Sequence, residues 1–330
     1  MEDRDPITEL IRENLDLPVG SAAIEPSFQD WKYWRPHPLF AGSRGYVLHD
    51  NGRIVSHGCR WPIRVRAASG DLDSCHLIDW VADRNAPGSG MKVLHDCVDG
   101  LAAVFSIGGS AMGQRVASAF GFKPTNPVWL MTRPLHLLNP AWRDSARDWR
   151  FPLRLARNGL WNFLPRMRLK PGWMYEPVPL SGIPEALFPL GTANEAVSMR
   201  DARLLAHIAT CPRFQRVQAY MVNEISRPVA YFVLGQVGHE VRLIDFGPAG
   251  LHTAEAQMLG VSAQQAARAD FPGAAAIATT TTEPAVRVGL LSSGFRDHRQ
   301  KTIRVLPLKP EIRAIAKFRL TMIDWDIACL

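Results

Sequence analysis

The chain has few cysteines and no long apolar run. Its 330 residues include five cysteines, and none of them forms a Cys-x-x-Cys motif. A scattered, odd-numbered set of this kind predicts neither a disulfide framework nor a zinc site, and it is typical of a reducing compartment. No uncharged apolar stretch reaches the roughly 18 residues of a membrane span, and the acidic start lacks the pattern of a signal peptide. We therefore expect a cytoplasmic protein without an integral membrane segment.

Several catalytic signatures are also missing. The sequence has no His-Glu-x-x-His, no nucleophile elbow and no Gly-Lys-Ser/Thr phosphate loop, which argues against a zinc protease, an α/β-hydrolase and a P-loop enzyme. We expect no metal cofactor. Hydrophobic residues make up 47% of the chain and charged residues 21%, which is ordinary for a folded protein long enough for two domains.

The net charge of +7 is concentrated in one stretch. Between residues 143 and 170 eight basic residues face only two acidic ones, and we interpret this stretch as a solvated connector. Binding to a phosphate-bearing ligand or to an anionic membrane surface is the alternative. The basic residues are Arg143, Arg147, Arg150, Arg154, Arg157, Arg166, Arg168 and Lys170.

An internal repeat divides the chain into two similar halves. Three groups of short motifs recur in the same order, at offsets of 174, 166 and 173 residues, as expected for copies that differ in loop length. The repeat predicts domains at 1–148 and 191–330, joined by a basic connector rich in proline and tryptophan at 149–190. The matches are Pro38 to Val55 with Pro212 to Val229, His76-Leu-Ile-Asp79-Trp80 with Arg242-Leu-Ile-Asp245-Phe246, and Gly121-Phe122-Lys123 with Gly294-Phe295-Arg296.

The first half has the pattern of a mixed α/β domain. Alternating aromatic and β-branched residues around an Asp-Asn-Gly turn predict a hairpin, and apolar residues at helical spacing predict two later helices. Ser110 is the expected N-cap of the second helix. The predicted elements are strands at 43–50, 53–62, 75–82, 102–107 and 125–133, and helices at 89–101 and 110–120.

The sharpest motif is the loop Asn85-Ala-Pro-Gly88-Ser-Gly90-Met-Lys92, which lies between a predicted strand and a predicted helix. Glycines at two positions let the backbone approach a ligand closely. The following helix start offers unpaired N–H groups and a positive dipole end. Together these features predict a cradle for an anion such as a pyrophosphate.

This loop resembles the acyl-CoA loop of the GNAT superfamily of acyl-CoA N-acyltransferases, Gln/Arg-x-x-Gly-x-Gly/Ala. Gly121-Phe122 resembles the family's Leu-Gly-Phe ending of the next helix, and Trp31-Lys-Tyr33 to Pro38 is similar to the opening of larger bacterial members with a degenerate second copy. The resemblance covers most of 25–135 and more faintly 200–305. It implies an α/β (α+β) fold of two tandem GNAT-like domains, each a mostly antiparallel mixed sheet flanked by helices.

The resemblance also assigns roles to residues. The backbone of Trp80 and Val81 would pair with the pantetheine arm, and the N–H groups of Gly88, Ser89, Gly90, Met91 and Lys92 would hold the pyrophosphate. Two positions depart from the family. Asn85 stands in place of the glutamine or arginine, and Ala117 stands where many members have a tyrosine that protonates the leaving thiolate.

Transfer of an acyl group also needs a base for the acceptor's proton. Asp79 and His76 are the nearest candidates, with Asp79 preferred and His57 and Asp83 weaker. Because Asp79 and His76 are an odd number of residues apart on a strand, we expect them on opposite faces. A purely structural Asp79 is the alternative, since the carboxylate recurs as Asp245 in the half that lacks a Gly-x-Gly loop.

Three functions follow. The leading one is an acyltransferase that uses acetyl-CoA or another acyl-CoA as cosubstrate and acts on an amine or hydroxyl of an unknown acceptor, with a sugar or polysaccharide precursor as the family-level expectation. A nucleic acid partner is not expected. The alternatives are an aminoacyl-tRNA-dependent transferase of the same shape and a non-catalytic scaffold. The aromatic cluster Trp31 to Arg35 is interpreted as core, with acceptor binding as its alternative.

Overall fold

The computed structural model describes residues 3–136, 168–192 and 194–330, together with single positions between 153 and 159. The described strands are β1 Gly45–Asp50, β2 Arg53–Ala67, β3 Gly70–Ala82, β4 Ala103–Ile107, β5 Lys123–Pro134, β6 Trp173–Val178, β7 Glu195–Ser198, β8 Arg216–Glu224, β9 Arg227–Val237, β10 Glu240–Gly247, β11 Ala276–Thr281, β12 Arg296–Pro307 and β13 Lys317–Arg319. The described α-helices are α1 Arg4–Asn14, α2 Pro26–Gln29, α3 Ser89–Val98, α4 Ala111–Phe120, α5 Ala202–Ala209, α6 Thr253–Asp270, α7 Pro284–Ser292 and α8 Pro310–Arg313.

The elements predicted for the first half are confirmed. Asn51 and Gly52 both have positive φ, which closes the β1–β2 hairpin with the twist that such turns require. Ser110 caps α4, because its hydroxyl accepts a hydrogen bond from the amide of Gly113 at 3.0 Å. β2 continues five residues beyond the predicted end, and ion pairs of Arg64 and Arg66 with residues of β3 stabilise this extension.

The second half repeats the first. β8 and β9 form its hairpin, β10 leads into α6, and β11, α7 and β12 follow in the order of β4, α4 and β5. Both halves also carry a β-bulge beside the repeated aspartate, opposite Gly58 in the first half and between Leu243 and Asp245 in the second. The internal repeat seen in the sequence is therefore a repeat of structure.

The described strands join into one 13-stranded, mostly antiparallel sheet. Its order is β13-β7-β2-β3-β4-β12-β5-β11-β10-β9-β8-β6, with β1 paired on β2. By the order of the repeat, β5 should pair with β4 and β12 with β11. The two last strands are exchanged instead, so that β12 pairs with β4 and β5 pairs with β11. Each half therefore completes the sheet of the other.

The C-terminal tail, residues 321–330, packs against the first half. Trp61 of β2 donates a hydrogen bond from its indole nitrogen to the carbonyl of Ile323, at 3.1 Å. Met322, Ile323 and Trp325 are buried in the same core as Trp31 and Tyr33. The cluster Trp31 to Arg35 therefore lies mainly in the core, and Trp34 and Arg35 are exposed at its end.

The predicted connector contains a strand of the second half. β6 pairs with β8 at the edge of the sheet, from Trp173 with Glu224 to Val178 with Ala219. The proline-rich stretch still forms an edge strand, because an edge tolerates residues that cannot donate to a second neighbour. The basic residues from Arg143 to Arg166 lie outside the described residues. In the described part of the chain, no helix combines the length and apolar character that crossing a bilayer requires.

Candidate functional site

An opening separates β3 from β4 in the first half. The two parallel strands pair only from Ser74–His76 to Ala103–Phe105. β3 continues to Ala82, whereas β4 ends at Ile107. The edge of β3 beyond residue 76 therefore faces a gap that no described strand fills. Strand edges of this kind bind extended ligands through backbone hydrogen bonds.

The backbone groups of Trp80 and Ala82 point into this gap. Val81 pairs with His57 on β2, its carbonyl accepts a hydrogen bond from Ser56 Oγ at 3.0 Å, and the amide of Asp83 donates to Val55 at 2.8 Å. Because backbone groups alternate in direction along a strand, the residues between these positions face the other edge. Of the two residues predicted for the pantetheine arm, Trp80 faces the gap and Val81 is turned to β2.

The strand is bulged at Asp79. Its φ is +48°, and Asp79 and Trp80 together lie opposite the single residue Gly58. Aspartate is one of the few residues that tolerate this left-handed conformation. Gly58 leaves room for α3, since a Cβ there would lie 3.0 Å from Cys97 Sγ. A bulge changes the alternation of side chains along the strand.

The expectation that Asp79 and His76 lie on opposite faces is therefore wrong. The Asp79 carboxylate accepts a hydrogen bond from Tyr33 Oη at 2.7 Å, and the His76 ring lies 6.1 Å from the ring of Trp325. Tyr33 and Trp325 belong to one buried cluster on the same side of the sheet. The prediction assumed that side chains alternate strictly along β3, and the residue inserted at the bulge breaks this alternation.

The glycine loop begins α3 directly beside the gap. Gly88 is the N-cap with φ +83°, and a Cβ there would meet no atom within 4 Å. Glycine is needed at this position for its conformation, and the space in front of it is open. Gly90 has a different role, because Trp80 Nε1 donates to its carbonyl at 2.9 Å and a Cβ would lie 3.2 Å from that of Ala82. Gly90 thus lets the helix pack closely on β3.

Hydrogen bonds and an ion pair fix the loop that precedes α3. Asp83 accepts a hydrogen bond from the amide of Asn85 at 2.8 Å and forms an ion pair with Arg53 at 2.9 Å. Ser89 Oγ donates to the carbonyl of Val55 at 3.3 Å. Asp83, a weaker candidate for the base, is therefore occupied in fixing the loop.

The positive end of α3 is free of side-chain caps. In the described part of the chain no side chain accepts from its first amides, and its first turn contains no acidic residue. Arg84, Met91 and Lys92 are exposed around it. An uncapped helix start with nearby cations binds anions through its free N–H groups and its dipole.

The corresponding helix start of the second half is occupied. The amide of His252 donates to Glu255 at 2.9 Å, and the amide of Gly250 donates to Glu283 at 3.0 Å. Two carboxylates thus bind where a pyrophosphate would have to lie in an equivalent site. The sequence indicated this difference through the missing Gly-x-Gly, with Ala254 at the glycine position.

Asp79 is part of a buried ion cluster. The fully buried Lys32 lies 2.5 Å from the Asp79 carboxylate and 3.7 Å from that of Asp326. Burial alone would raise the pKa of Asp79, but the charge of Lys32 and hydrogen bonds from Lys32 and Tyr33 outweigh it and lower the pKa. A carboxylate held in this way is a weak base.

Asp326 of the tail has the opposite shift. Burial raises its pKa to about 6, although Lys32 opposes this rise. Its side chain keeps 15% of its surface exposed. No local pattern in the sequence marks Asp326, because only the fold brings the tail to β3.

His76 is a hydrogen-bond acceptor in the wall of the gap. Its Nε2 accepts from the amide of Ile107 at 3.2 Å, just where β3 and β4 part. Burial, and then the charge of Lys301, lowers its pKa to about 3. His57 is buried as well, with Nδ1 3.1 Å from the carbonyl of Asp79, and burial lowers its pKa. Both imidazoles are neutral at pH 7.

The remaining predicted features concern α4 and metals. Ala117 faces the core with Phe122 and Leu306, so α4 brings no hydroxyl to the gap at this position. Among the described residues, no group of three or more histidine, cysteine, aspartate or glutamate side chains is arranged to hold a metal ion.

Known proteins were compared at three levels. No family pattern and no curated sequence matches the chain. Solved structures match over nearly all of it. A GCN5-related N-acetyltransferase from Anabaena variabilis covers 94% of this chain and 71% of its own, with a TM-score of 0.59 and 8% identity. A tandem GNAT protein from the clavulanic acid biosynthesis pathway covers 94% and 96%, with a TM-score of 0.55 and 11% identity.

A third match is the N-myristoyltransferase of Saccharomyces cerevisiae, solved with bound myristoyl-CoA. It covers 94% of this chain and 80% of its own, with a TM-score of 0.55 and 10% identity. At identities this low, the similarity shows that the proteins share a fold, and it does not show that they share an activity. The chain has the fold of the GCN5-related N-acetyltransferases, in its tandem form.

Proposed function

We propose that this protein is an acyl-CoA-dependent acyltransferase and that the gap between β3 and β4 binds the acyl-CoA. The observation that carries the proposal is the combination of an unpaired strand edge with an uncapped helix start beside it. The edge suits the amides of a pantetheine chain, and the helix start suits a pyrophosphate. The N-myristoyltransferase of the same fold, which was solved with bound myristoyl-CoA, supports the same ligand class.

Different residues of the first half would bind different parts of the acyl-CoA. The backbone groups of Trp80 and Ala82 would pair with the pantetheine arm. The free N–H groups at Gly88 and Gly90 would hold the pyrophosphate, with Arg84 and Lys92 contributing charge. The amides of Ser89, Met91 and Lys92, which were predicted to share this role, donate to the carbonyls of Ala86 and Gly88 instead. The carboxylates at the start of α6 repel such a ligand, so we place one acyl-CoA site in the protein, in its first half.

The proton of the acceptor would pass to Asp326. Its pKa of about 6 leaves it ionised at pH 7 and still basic enough to accept a proton, whereas Asp79 and His76 are held as an ion-pair partner and a hydrogen-bond acceptor. In the overall transfer the thioester C–S bond breaks, a C–N or C–O bond to the acceptor forms, and the CoA thiol leaves.

A non-catalytic scaffold is the second candidate. One observation favours it, namely that both bases predicted from the sequence are occupied in structural contacts. Turnover separates the two candidates, because a scaffold that binds acyl-CoA would release no thiol from it in the presence of any acceptor.

Calorimetry with acetyl-CoA tests the binding site. Gly88→Asn and Gly88→Asp form a matched pair, because asparagine and aspartate both tolerate positive φ and differ in charge. We expect the wild type to bind, Gly88→Asn to stay within a few-fold of it, and Gly88→Asp to bind at least about tenfold more weakly, a difference of about 1.4 kcal/mol. Equal affinities of the two variants would show that the pyrophosphate does not lie at this loop. No binding by the wild type would end the proposal.

A further inference from the structure

Two buried hydrogen-bond donors beside the gap have no acceptor. His76 is 4% exposed and Trp325 is 3% exposed, and their rings lie 6.1 Å apart. Among the residues that the structure describes, neither His76 Nδ1 nor Trp325 Nε1 has a hydrogen-bond partner. A buried donor without an acceptor costs about 1–3 kcal/mol, so two together mark a place where a ligand atom is expected.

The hydrogen bond from Ile107 fixes the proton of His76. Because Nε2 accepts from the Ile107 amide, the single proton of the neutral ring lies on Nδ1. Nδ1 is therefore a donor, as is the indole N–H of Trp325. Because both ring nitrogens are donors, His76 and Trp325 cannot form a hydrogen bond with each other.

A cation from the other half lies beside these two donors. Lys301 belongs to β12, two residues before the Ile303–Ile107 pair that ends the contact with β4. Its Nζ lies 5.7 Å from the ring centre of Trp325, and it would lie 2.9 Å from a Cβ at Gly108. Within the described part of the chain, Lys301 forms no ion pair with a carboxylate.

We propose that His76, Trp325 and Lys301 form a binding site for a carboxylate group of the acceptor. This proposal rests on the acyltransferase function proposed above. Three donors, one of them charged, suit the lone pairs of the two oxygens of a carboxylate, and the two ring nitrogens have no acceptor among the described residues. Trp325 is next to Asp326 in the chain, so the same tail that donates to the carboxylate also carries the base for the nucleophile. The acceptor is thus a small molecule with both a carboxylate and an amine or hydroxyl.

The proposed site draws on both halves of the protein. His76 comes from the first half, whereas Lys301 and Trp325 come from the exchanged strand and from the tail. Lys301 reaches the end of β4 only because β12 takes the place beside it. An acceptor bound here would lie at the far end of the gap from the glycine loop.

Nuclear magnetic resonance with acetate as the probe tests the site. The Trp325 indole N–H signal is assigned with Trp325→Phe, and acetate is compared with acetamide, which has the same shape and no charge. We expect a saturable shift of this signal with acetate and none with acetamide. Lys301→Met should weaken acetate binding at least fivefold, whereas Lys301→Arg should keep it within about threefold, because arginine retains the charge. Lys301 is partly exposed, so both variants are expected to fold.

Two results would overturn the proposal. One is the absence of a saturable shift with acetate, or an equal shift with acetamide. The other is an unchanged acetate affinity in Lys301→Met. Calorimetry of CoA binding is independent of these results, so failure of the acetate site leaves the acyl-CoA site separately tested.

Discussion

Asp324 and Asp326, two residues apart in the tail, each complete an ion cluster in a different half of the protein. Asp324 accepts a hydrogen bond from Arg200 at 2.7 Å, and Arg200 also donates to Asp245 at 2.8 Å. Asp326 lies 3.7 Å from Lys32, which pairs with Asp79. In both halves a buried cation thus lies between the carboxylate of the bulged strand and a carboxylate of the tail. The clusters are equivalent in position, and the tail joins them.

We expect removal of either cation to destabilise the protein strongly. Lys32→Met or Arg200→Met leaves two buried carboxylates without a counter-charge, at a cost of about 3–5 kcal/mol. Urea denaturation measures the loss. The double variant Lys32→Met/Asp79→Asn should recover part of it, because one of the uncompensated charges is gone. A single variant within about 1 kcal/mol of the wild type, or a double variant less stable than Lys32→Met, would contradict a role of the cluster in stability.

Asp326→Asn should change the pH profile of the reaction. In the wild type, thiol release from acetyl-CoA should rise with pH through about 6 as Asp326 loses its proton and becomes able to accept one. The variant should be slower by about 10²-fold or more and should lack this rise. CoA affinity measured by calorimetry is the control and should stay unchanged. A rise through pH 6 that persists in the variant would assign the base to another residue.

Acid should destabilise the fold through its buried histidines. Burial lowers the pKa of His37 to about 2 and that of His76 to about 3, both below the ordinary value of 6.5. The unfolded chain therefore binds more protons than the folded one below pH 6.5, and stability falls as pH decreases from there. Each histidine contributes about 1.4 kcal/mol per pH unit, or about 2 kcal/mol between pH 6.5 and 5.

Urea midpoints at pH 7.5 and 5.0 measure this effect. His76→Gln is the matched variant, because a glutamine oxygen can accept from the Ile107 amide and does not titrate. Its loss of stability between the two pH values should be smaller than that of the wild type by about 2 kcal/mol. Equal losses in the two proteins would show that His76 is not held neutral by the fold.

Neither half should fold alone. A fragment of residues 1–136 lacks β12, which leaves the edge of β4 uncovered and β5 without its partner β11. Exposed strand edges of this kind aggregate. We expect the fragments 1–136 and 168–330 to be insoluble when expressed separately and to form a soluble complex when expressed together. A soluble, monomeric and folded 1–136 fragment would contradict the strand exchange.

Local signals in the sequence predicted the local structure well. The Asn51-Gly52 turn, the Ser110 cap and the start of α3 at Ser89 depend on residues within one turn of one another, and the structure confirms them. The repeat also predicted two equivalent halves. The prediction failed at Asp79. A residue other than glycine that adopts the left-handed conformation cannot be recognised from the sequence, so the bulge was not expected.

The long-range part of the site was beyond the sequence. Lys32, Asp79 and Asp326 come from three distant segments, and no periodicity or spacing connects a tail residue to a strand of the first half. The position of Lys301 beside the first half could not be predicted either, because the repeat assigns β12 to the second half. Trp80 and the glycine loop, in contrast, are assigned to one site by the resemblance to the acyl-CoA loop, which covers both, and Trp80 Nε1 donates to the carbonyl of Gly90 in that loop. Their role in binding stays a prediction.

The exchange of β5 and β12 sets a limit on how this protein can evolve. A duplicated domain that shares no strands with its twin can be deleted without unfolding it. Here the second half has filled its helix start with carboxylates, yet it still supplies the strand that covers β4 and the lysine at the end of that strand. A mutation that unfolds the second half therefore also uncovers β4 and removes the partner of β5, so the two halves can be kept or lost only together.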